Sequence, residues 1–232
     1  MAKPIELHYW PTPNGHKITI MLEECGLAYE IKPVNIGTGE QFRPEFLAIS
    51  PNNRMPAIVD PDGPGGKPIS VFESGAILQY LGRKPGKFYP ADERARVEVD
   101  QWLFWQMGGL GPMAGQAHHF RNYAPEKIPY SIDRYTKECN RLYGVMNRRL
   151  ADREFLAGTY SIADMASFPW VRPYQNQGQE LSEFPHLAKW FARMEARPAV
   201  AKAVLMGADL RKNYDLTDKE TQKVLFGQTA SK

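Results

Sequence analysis

The stretch Pro51-Asn-Asn-Arg-Met-Pro-Ala-Ile-Val59 decides how the first part of this chain is expected to fold. Pro56 cannot donate a ladder hydrogen bond, so it is expected at the very start of a strand formed by the apolar residues 57–59. A cis Met55–Pro56 bond would turn the Met55 backbone outward, where its N–H and C=O could pair with an extended, peptide-like ligand. The frequency of cis bonds alone favours an ordinary trans proline, so the surrounding sequence must decide.

Hydrophobic periodicity on both sides of this stretch predicts a β-α-β-α-β-β-α unit. The predicted strands cover 5–9, 29–34, 57–59 and 69–72, and the predicted helices cover a segment ending at Gly26, residues 44–49 and the segment from Ser74 onward. Dense turn residues at 60–66 indicate that 69–72 returns antiparallel to 57–59. The first domain is therefore expected to be α/β with a mixed four-stranded sheet.

Helical periods dominate the rest of the chain. Pro85-Gly86 and the polar run 91–94 predict a linker, and Ser161 with Asp164 at capping-box spacing predicts the start of a helix. The expected division is 1–84 for the α/β domain, 85–93 for the linker, 94–211 for an all-helical bundle and 212–232 for a polar, loosely held tail. The fold class is thus α/β plus all-α.

Charge and hydropathy exclude several function classes. The 232 residues carry a formal net charge of +3, with acidic residues interleaved among the basic ones. Nucleic-acid binding needs a clustered basic face, so we discount it. No stretch approaches the ~20 apolar residues of a membrane span, and residues 1–10 do not resemble a signal peptide. We therefore expect a cytoplasmic protein without membrane attachment.

The cysteines and histidines offer no redox pair and no metal site. Cys25 and Cys139 lack a CxxC partner, and each lies on the apolar side of a predicted helix. They are expected to be small buried side chains, so any thiol chemistry must use a thiol from elsewhere. His118 and His119 are adjacent, and adjacent helix positions point about 100° apart with no i+4 ligand following. No metal is predicted.

Two predicted helix N-termini carry polar side chains that could bind an anion. Thr12 and Asn14 precede the first helix, where free N–H groups and a hydroxyl or amide donor would stabilise a bound thiolate. Glu73 and Ser74 open a later helix, where Ser74 would hold a carboxylate and Glu73 would neutralise an adjacent ammonium, as on an amino-acid head group. Simple helix capping is the alternative for both pairs.

A second carboxylate would find donors at Arg54 and Gln41. Arg54 is the stronger candidate, because a guanidinium binds a carboxylate through two parallel hydrogen bonds. Solvated surface positions are the alternative for both residues. Together with the head-group pair, these donors would hold the two ends of a short zwitterionic ligand.

Taken together, these features resemble the cytosolic glutathione transferases, and the resemblance covers nearly the whole chain. It is carried by Thr12-Pro-Asn-Gly-His-Lys-Ile18, Gln41-Phe-Arg-Pro-Glu-Phe46, Ser50-Pro-Asn-Asn-Arg-Met-Pro-Ala-Ile-Val59, Phe72-Glu-Ser-Gly-Ala-Ile77, Trp102-Leu-Phe-Trp-Gln106, Gly109-Leu-Gly-Pro112 and Ser161-Ile-Ala-Asp164. The chain is most similar to the nu class of bacterial glutathione-dependent disulfide-bond oxidoreductases, which resemble the transferase-like domain of the yeast nitrogen-regulating prion protein. The resemblance implies a thioredoxin-like N-terminal domain.

The resemblance also assigns roles to matching positions. Glutathione would contact Met55 before a cis Pro56 at its cysteinyl part, Glu73 with Ser74 at its γ-glutamyl end, and Gln41 with Arg54 at its glycyl carboxylate. Thr12 and Asn14 would lie beside the glutathione sulfur, with Tyr9 as a rival for that position. The nu class accommodates two glutathione molecules, or glutathione disulfide, per site, which suits a chain without CxxC.

Two other functions remain open on the same resemblance. A transferase that conjugates electrophiles would hold an apolar substrate in a second pocket, and a non-catalytic regulatory module would bind glutathione without turnover. The candidate second-ligand residues are Tyr9, Trp10, His119, Phe120 and Arg134. The family also implies a homodimer, in which Arg134 could reach the partner's site.

Overall fold

The computed structural model describes residues 3–211, 216 and 218–229, and its N-terminal domain is built on four strands. These are β1 (Ile5–Tyr9), β2 (Tyr29–Pro33), β3 (Ala57–Asp60) and β4 (Ile69–Phe72). Their order is β2-β1-β3-β4, with β1 parallel to β2 and the two other pairs antiparallel. The predicted mixed four-stranded sheet and thioredoxin-like topology are confirmed.

Strand register places the apolar side chains of the sheet together. Leu7 lies opposite Ile31 on β2 and Ile58 on β3, and Ile58 lies opposite Val71 on β4. Leu7 and Ile58 are completely buried, because helices cover the central strands. The outer strand β2 alternates between partly buried and exposed positions, as an edge strand does.

Helix α1 (Pro13–Cys25) begins and ends where its sequence signals indicate. Thr12 is the N-cap, and its side chain accepts a hydrogen bond from the Gly15 N–H. Pro13 fits the first helical position because that residue's N–H has no intrahelical partner. Gly26 ends the helix with φ 67°, a left-handed conformation that favours glycine.

The N-terminal domain contains further helical segments. Helix α2 (Pro44–Leu47) follows a short 3₁₀ turn (Glu40–Phe42), and helix α3 (Ser74–Arg83) follows β4 directly. Asp60, at the end of β3, accepts hydrogen bonds from Tyr80 of α3 and forms an ion pair with Lys84. This buried carboxylate therefore fixes the end of α3 against the sheet.

The second domain is helical. Its helices are α4 (Glu93–Trp105), α5 (Gly111–His118), α6 (Pro129–Arg149), α7 (Ile162–Val171), α8 (Pro185–Glu195), α9 (Pro198–Ala203) and α10 (Lys219–Phe226). Wider π-helical turns at Gln106–Leu110 and His119–Tyr123 flank α5, so the backbone stays helical from α4 through α5.

The predicted capping box at the start of α7 is confirmed. Asp164 is fully buried and accepts hydrogen bonds from the Leu156 and Ser161 N–H groups and from the Trp190 indole. The pKa of Asp164 is raised to about 6, because burial raises it by more than these hydrogen bonds lower it. The carboxylate thus joins the α7 N-terminus to α8 and to the loop before α7.

Helix α1 packs against both α7 and α9, so the two domains share a core. At its end, Glu24 accepts two hydrogen bonds from Arg197 and one from Tyr160. Near its start, the Tyr9 hydroxyl donates to the Met206 carbonyl over 2.9 Å. These contacts fix the N-terminal turn of α1 relative to the helical domain.

Part of the segment expected to be a loosely held tail is helical. Residues 219–226 form α10, while 212–215, 217 and 230–232 of that prediction lie outside the described residues. Asp218 caps α10 by accepting a hydrogen bond from the Thr221 N–H. In the described part of the chain, no helix has both the length and the apolar character that crossing a membrane requires.

Candidate functional site

A cleft of about 1360 Å³ lies between the two domains. Its wall in the N-terminal domain is formed by the first turn of α1, the turn before β3 and the start of α3. The opposite wall is formed by the π-helical turns, α5, α7 and α10. All seven residues predicted from the sequence to bind or activate glutathione line it: Thr12, Asn14, Gln41, Arg54, Met55, Glu73 and Ser74.

The N-terminal turn of α1 presents two polar side chains to the cleft. The Thr12 hydroxyl accepts from the Gly15 N–H and lies 3.5 Å from the Met55 sulfur, to which it donates. The Asn14 side-chain oxygen accepts from the Trp170 indole N–H at 2.8 Å. The positive end of the helix dipole and these side chains therefore face the same space, which suits a bound anion such as a thiolate.

The Met55–Pro56 peptide bond is cis, the form predicted from the sequence. Pro56 immediately precedes β3, and Met55 is buried at the cleft wall. The Thr12 hydroxyl touches the Met55 side chain from the α1 side. The structure thus brings together two stretches that are separated by 43 residues in the chain.

Glu73 and Ser74 sit at the start of α3. Glu73 has φ 68°, a left-handed conformation uncommon for a side-chain-bearing residue, and its side chain makes no capping bond to α3. Its carboxylate instead accepts a hydrogen bond from Asn52 at 3.4 Å. Ser74 is the first residue of α3 and its hydroxyl faces the cleft floor. Neither side chain therefore caps α3 through a hydrogen bond.

Arg54 and Gln41 lie at another end of the cleft. The exposed Arg54 guanidinium donates to Asn53 and to Gln228, which follows α10. Gln41 is 1% exposed and donates to the Ile36 carbonyl, while its side-chain oxygen has no partner among the described residues. Of the two, only Arg54 carries a positive charge, and its guanidinium is exposed where a carboxylate could reach it.

Lys17 lies on the cleft floor and was not among the site residues predicted from the sequence. Its amine donates to the Gln106 side-chain oxygen at 2.8 Å and to the Ser74 hydroxyl at 3.4 Å. Burial lowers the pKa of Lys17 to about 7, although the negative charge of Glu73 opposes this shift. A signal was available, because Lys17 precedes the apolar Met21 by one helical turn on the buried side of α1.

Three residues predicted for a second-ligand pocket, Tyr9, Trp10 and Phe120, lie away from the described cleft lining, and the prediction is corrected for them. Tyr9 is completely buried, with its hydroxyl bonded to Met206 and His16, so it is no rival for a ligand sulfur. Trp10 packs in a small apolar cluster beneath the cleft. Phe120 stacks on Tyr135 with a centroid distance of 5.4 Å. Their apolar surface is used in packing within the subunit.

Arg134 and His119 complete the set predicted for that pocket. Arg134 is exposed on α6, away from the described lining of this subunit's cleft. His119 does line the cleft, and its ring packs edge-on against Phe226 of α10 at 4.6 Å. Leu225 lies beside it, so α10 closes one side of the cleft. This wall was not predicted from the sequence, because α10 is short and largely polar.

Neither cysteine belongs to the described lining of the cleft. Cys25 lies at the end of α1 and Cys139 within α6, and both are buried. Burial raises the pKa of the Cys25 thiol to about 11 and that of Cys139 to about 12, which disfavours the thiolate. In the described residues, no group of three or more His, Cys, Asp or Glu side chains could hold a metal ion.

The chain is similar to known proteins of the same architecture. The family model "Glutathione S-transferase, N-terminal domain" matches residues 4–83, and "Glutathione S-transferase, C-terminal domain" matches residues 113–198. The Disulfide-bond oxidoreductase YfcG of Escherichia coli K12 is 53% identical over 203 residues, which cover 87% of this chain and 94% of that protein.

Two solved structures extend the comparison to bound ligands. A glutathione transferase from Burkholderia graminis has a TM-score of 0.84 and 44% identity, covers 88% of each chain, and holds two glutathione molecules per subunit. One from Pseudomonas putida has the same TM-score and identity, covers 88% of this chain and 92% of its own, and holds one glutathione disulfide per subunit.

Proposed function

Because the chain belongs to the glutathione S-transferase family, we propose that it is a glutathione-dependent disulfide-bond reductase. Two bound glutathione molecules supply the thiols. The thiolate of one attacks a sulfur of the substrate disulfide, forms a mixed disulfide and releases the first substrate thiolate. The second glutathione attacks the mixed disulfide, which yields glutathione disulfide and the second substrate thiolate. The two glutathione thiol protons end on the two leaving thiolates.

The observation that carries this proposal is the separation of the chain's own thiols from its thiolate-stabilising turn. Thr12 and Asn14 line the cleft at the positive end of α1, whereas Cys25 and Cys139 are buried elsewhere with raised pKa values. A helix N-terminus lowers the pKa of a thiol beside it. The reactive sulfur is therefore that of a ligand.

The size of the cleft supports two tripeptides or one disulfide-linked pair. Its volume of about 1360 Å³ exceeds the range of about 300–1,000 Å³ that is usual for a single small-molecule site. The relatives from Burkholderia graminis and Pseudomonas putida were crystallised with two glutathione molecules and with glutathione disulfide, respectively. These are the reduced and oxidised forms of the same pair of ligands.

In the proposed complex, one glutathione spans the N-terminal domain. Its γ-glutamyl head group lies at Glu73 and Ser74, where the carboxylate of Glu73 faces the ligand ammonium. Its backbone pairs with Met55, and its glycyl carboxylate lies toward Arg54 and Gln41. Its sulfur then points to the N-terminus of α1, beside Thr12 and Asn14.

Reduction of 2-hydroxyethyl disulfide by glutathione tests the proposal directly. We expect turnover by the wild-type protein and unchanged turnover by a Cys25→Ala, Cys139→Ala variant, because neither thiol takes part. Absence of turnover in the wild type would refute the reductase assignment. Loss of turnover in the folded double variant would show that a protein thiol participates.

Conjugation of glutathione to electrophiles is the second candidate, favoured by the aromatic wall of the cleft. His119, Tyr123 and Phe226 form a cluster that could hold an apolar substrate. Comparison of chlorodinitrobenzene conjugation with disulfide reduction separates the two activities. Calorimetric binding of glutathione without either activity would instead support a regulatory module.

We also propose that the protein is a homodimer through exposed apolar side chains on α4. Phe104 is 65% exposed and Val97 is 46% exposed, and the two lie about two helical turns apart on one side of α4, where a partner surface would cover them. Light scattering on a size-exclusion column tests this, with Phe104→Glu expected to shift the protein toward a monomer. A wild-type protein that elutes with the mass of one chain would contradict the proposal.

A further inference from the structure

Lys17 is a lysine buried inside the protein without a counter-ion among the described residues. Its side chain is 2% exposed, and its amine has two oxygen partners, Gln106 and Ser74, which are both uncharged. No carboxylate forms an ion pair with Lys17 in the part of the chain that the structure describes. A buried charge without an ionic partner opposes folding, so the packing of the fold does not account for a lysine here.

The groups that face Lys17 come from both domains. Helix α3 contributes the Ser74 hydroxyl and the negative charge of Glu73, which acts on the amine without forming an ion pair. The π-helical turn after α4 contributes Gln106 and the Met107 sulfur, 3.6 Å from the amine, and neither is charged. Burial lowers the pKa of Lys17 to about 7. The negative charge of a bound anion would raise this pKa again and favour the protonated form.

The same spot on the cleft floor has more donors than acceptors. Gln106 is completely buried, its oxygen accepts from Lys17, and its side-chain nitrogen has no partner among the described residues. The Ser74 hydroxyl accepts from Lys17, and its own hydrogen is directed only toward the Met107 sulfur at 3.7 Å. Lys17, Gln106 and Ser74 all line the cleft. A ligand with anionic oxygen atoms would supply the missing acceptors.

We infer that Lys17 is a further ligand-binding residue, whose ammonium, oriented by Gln106, supplies the positive charge for the carboxylate that Ser74 holds at the start of α3. The inference rests on the proposed function, in which this group is the α-carboxylate of the γ-glutamyl residue. Ser74 alone offers a neutral hydroxyl. Because the Lys17 amine donates to the Ser74 oxygen, the hydrogen of the Ser74 hydroxyl remains available to point toward the ligand.

Calorimetry with two ligands on three proteins tests the inference. The ligands are S-methylglutathione, which has no ionisable thiol, and its analogue with the γ-glutamyl α-carboxylate replaced by a carboxamide. Lys17→Met should weaken S-methylglutathione binding about 10- to 100-fold, the effect of losing a hydrogen bond to a charged group. It should weaken the carboxamide less than about threefold. Lys67→Met makes the same change of charge on an exposed loop and should alter neither affinity.

Equal weakening of both ligands, or of neither, would overturn the inference, because a structural role cannot tell a carboxylate from a carboxamide. A wild-type protein that binds no S-methylglutathione would overturn the proposed function as well. Should Lys17→Met fail to fold, the wild type alone decides. Titrations at pH 7, where the α-amines of both ligands are mostly protonated, in buffers of different ionisation enthalpy should show proton uptake with S-methylglutathione and less with the carboxamide. Equal uptake would contradict the assignment.

Discussion

The indole N–H of Trp170 donates to the side-chain oxygen of Asn14 over 2.8 Å and so joins α7 to the first turn of α1. An indole nitrogen can only donate a hydrogen bond. The oxygen of the Asn14 amide must therefore face Trp170, and its NH₂ group must face away. Because Asn14 lines the cleft, the proposed complex would have Asn14 meet the ligand sulfur through its NH₂ group, as a donor.

Trp170→Phe is expected to raise the pKa of the bound glutathione thiol and to slow disulfide reduction about tenfold. The phenyl ring fills much of the same space but cannot hold the Asn14 oxygen, so the amide is free to turn its acceptor toward the thiolate. Complete loss of an oriented donor at a reacting anion costs about 100- to 1,000-fold, and Trp170→Phe should cost less because the Asn14 donor is released but not removed. The ultraviolet absorbance of the bound thiolate against pH measures the pKa.

The control for this prediction is a double-mutant cycle with Asn14→Ala. If Trp170 acts through Asn14, Trp170→Phe should have no further effect on thiol pKa or rate in the Asn14→Ala background. An effect of the same size in both backgrounds would contradict the positioning role. It would then reflect the packing of Trp170 against the cleft.

Thr12→Val should lower both stability and activity, because the Thr12 hydroxyl caps α1 and, in the proposed complex, lies beside the ligand sulfur. We expect a loss of about 1 kcal/mol in the free energy of unfolding, the usual value for an N-cap. The rate of disulfide reduction should fall about tenfold or more. Thr12→Ser keeps the hydroxyl and should preserve both properties. Urea denaturation and the hydroxyethyl disulfide assay provide the measurements, and full activity of Thr12→Val would contradict the assignment.

Lys17→Met should stabilise the ligand-free protein, by about 1–4 kcal/mol near neutral pH, because it removes a buried charge. The pKa of Lys17 is lowered from 10.5 to about 7 in the folded protein, so the unfolded chain binds more protons between these pH values. Wild-type stability should therefore gain from Lys17 as the pH rises above 7. The advantage of Lys17→Met should be largest at pH 6 and shrink toward pH 9 in urea denaturation. A constant difference across this range would show that Lys17 has an ordinary pKa.

Phe226→Ala should weaken glutathione binding about threefold to tenfold, because it removes the aromatic contact by which α10 meets His119. Lys219→Ala, on an exposed turn of the same helix, is the matched control and should leave binding unchanged. Calorimetric titration with glutathione compares the two. Equal affinities of Phe226→Ala and the wild type would mean that α10 does not help to retain the ligand.

Local sequence signals predicted the elements that form the N-terminal side of the site. Alternating residues gave the strands, Thr12 and Gly26 gave the limits of α1, and Ser161 with Asp164 gave the start of α7. The helix caps act through hydrogen bonds between residues a few positions apart, and the alternation in a strand reflects which side chains face the core. These signals can be recognised in a single sequence because backbone conformation depends first on neighbouring residues.

Partners from the helical domain were not predictable in the same way. Gln106 meets Lys17 across 89 residues of chain, and Gln228 meets Arg54 across 174. The sequence also suggested a second-ligand pocket at Tyr9, Trp10 and Phe120, but the structure packs these side chains within the subunit. The sequence does not show whether an aromatic side chain lines a cleft or is buried beneath it. Only packing distinguishes the two positions.

The sequence by itself determined the α/β-plus-helical architecture, the strand that begins after Pro56 and the polar side chains at the starts of α1 and α3. The tertiary structure decided that Lys17 lies buried without a counter-ion among the described residues and that the Asn14 side-chain oxygen accepts a hydrogen bond from Trp170. The physical reason is that burial and hydrogen-bond direction depend on groups from distant parts of the chain. Those groups meet only when the helical domain packs against α1.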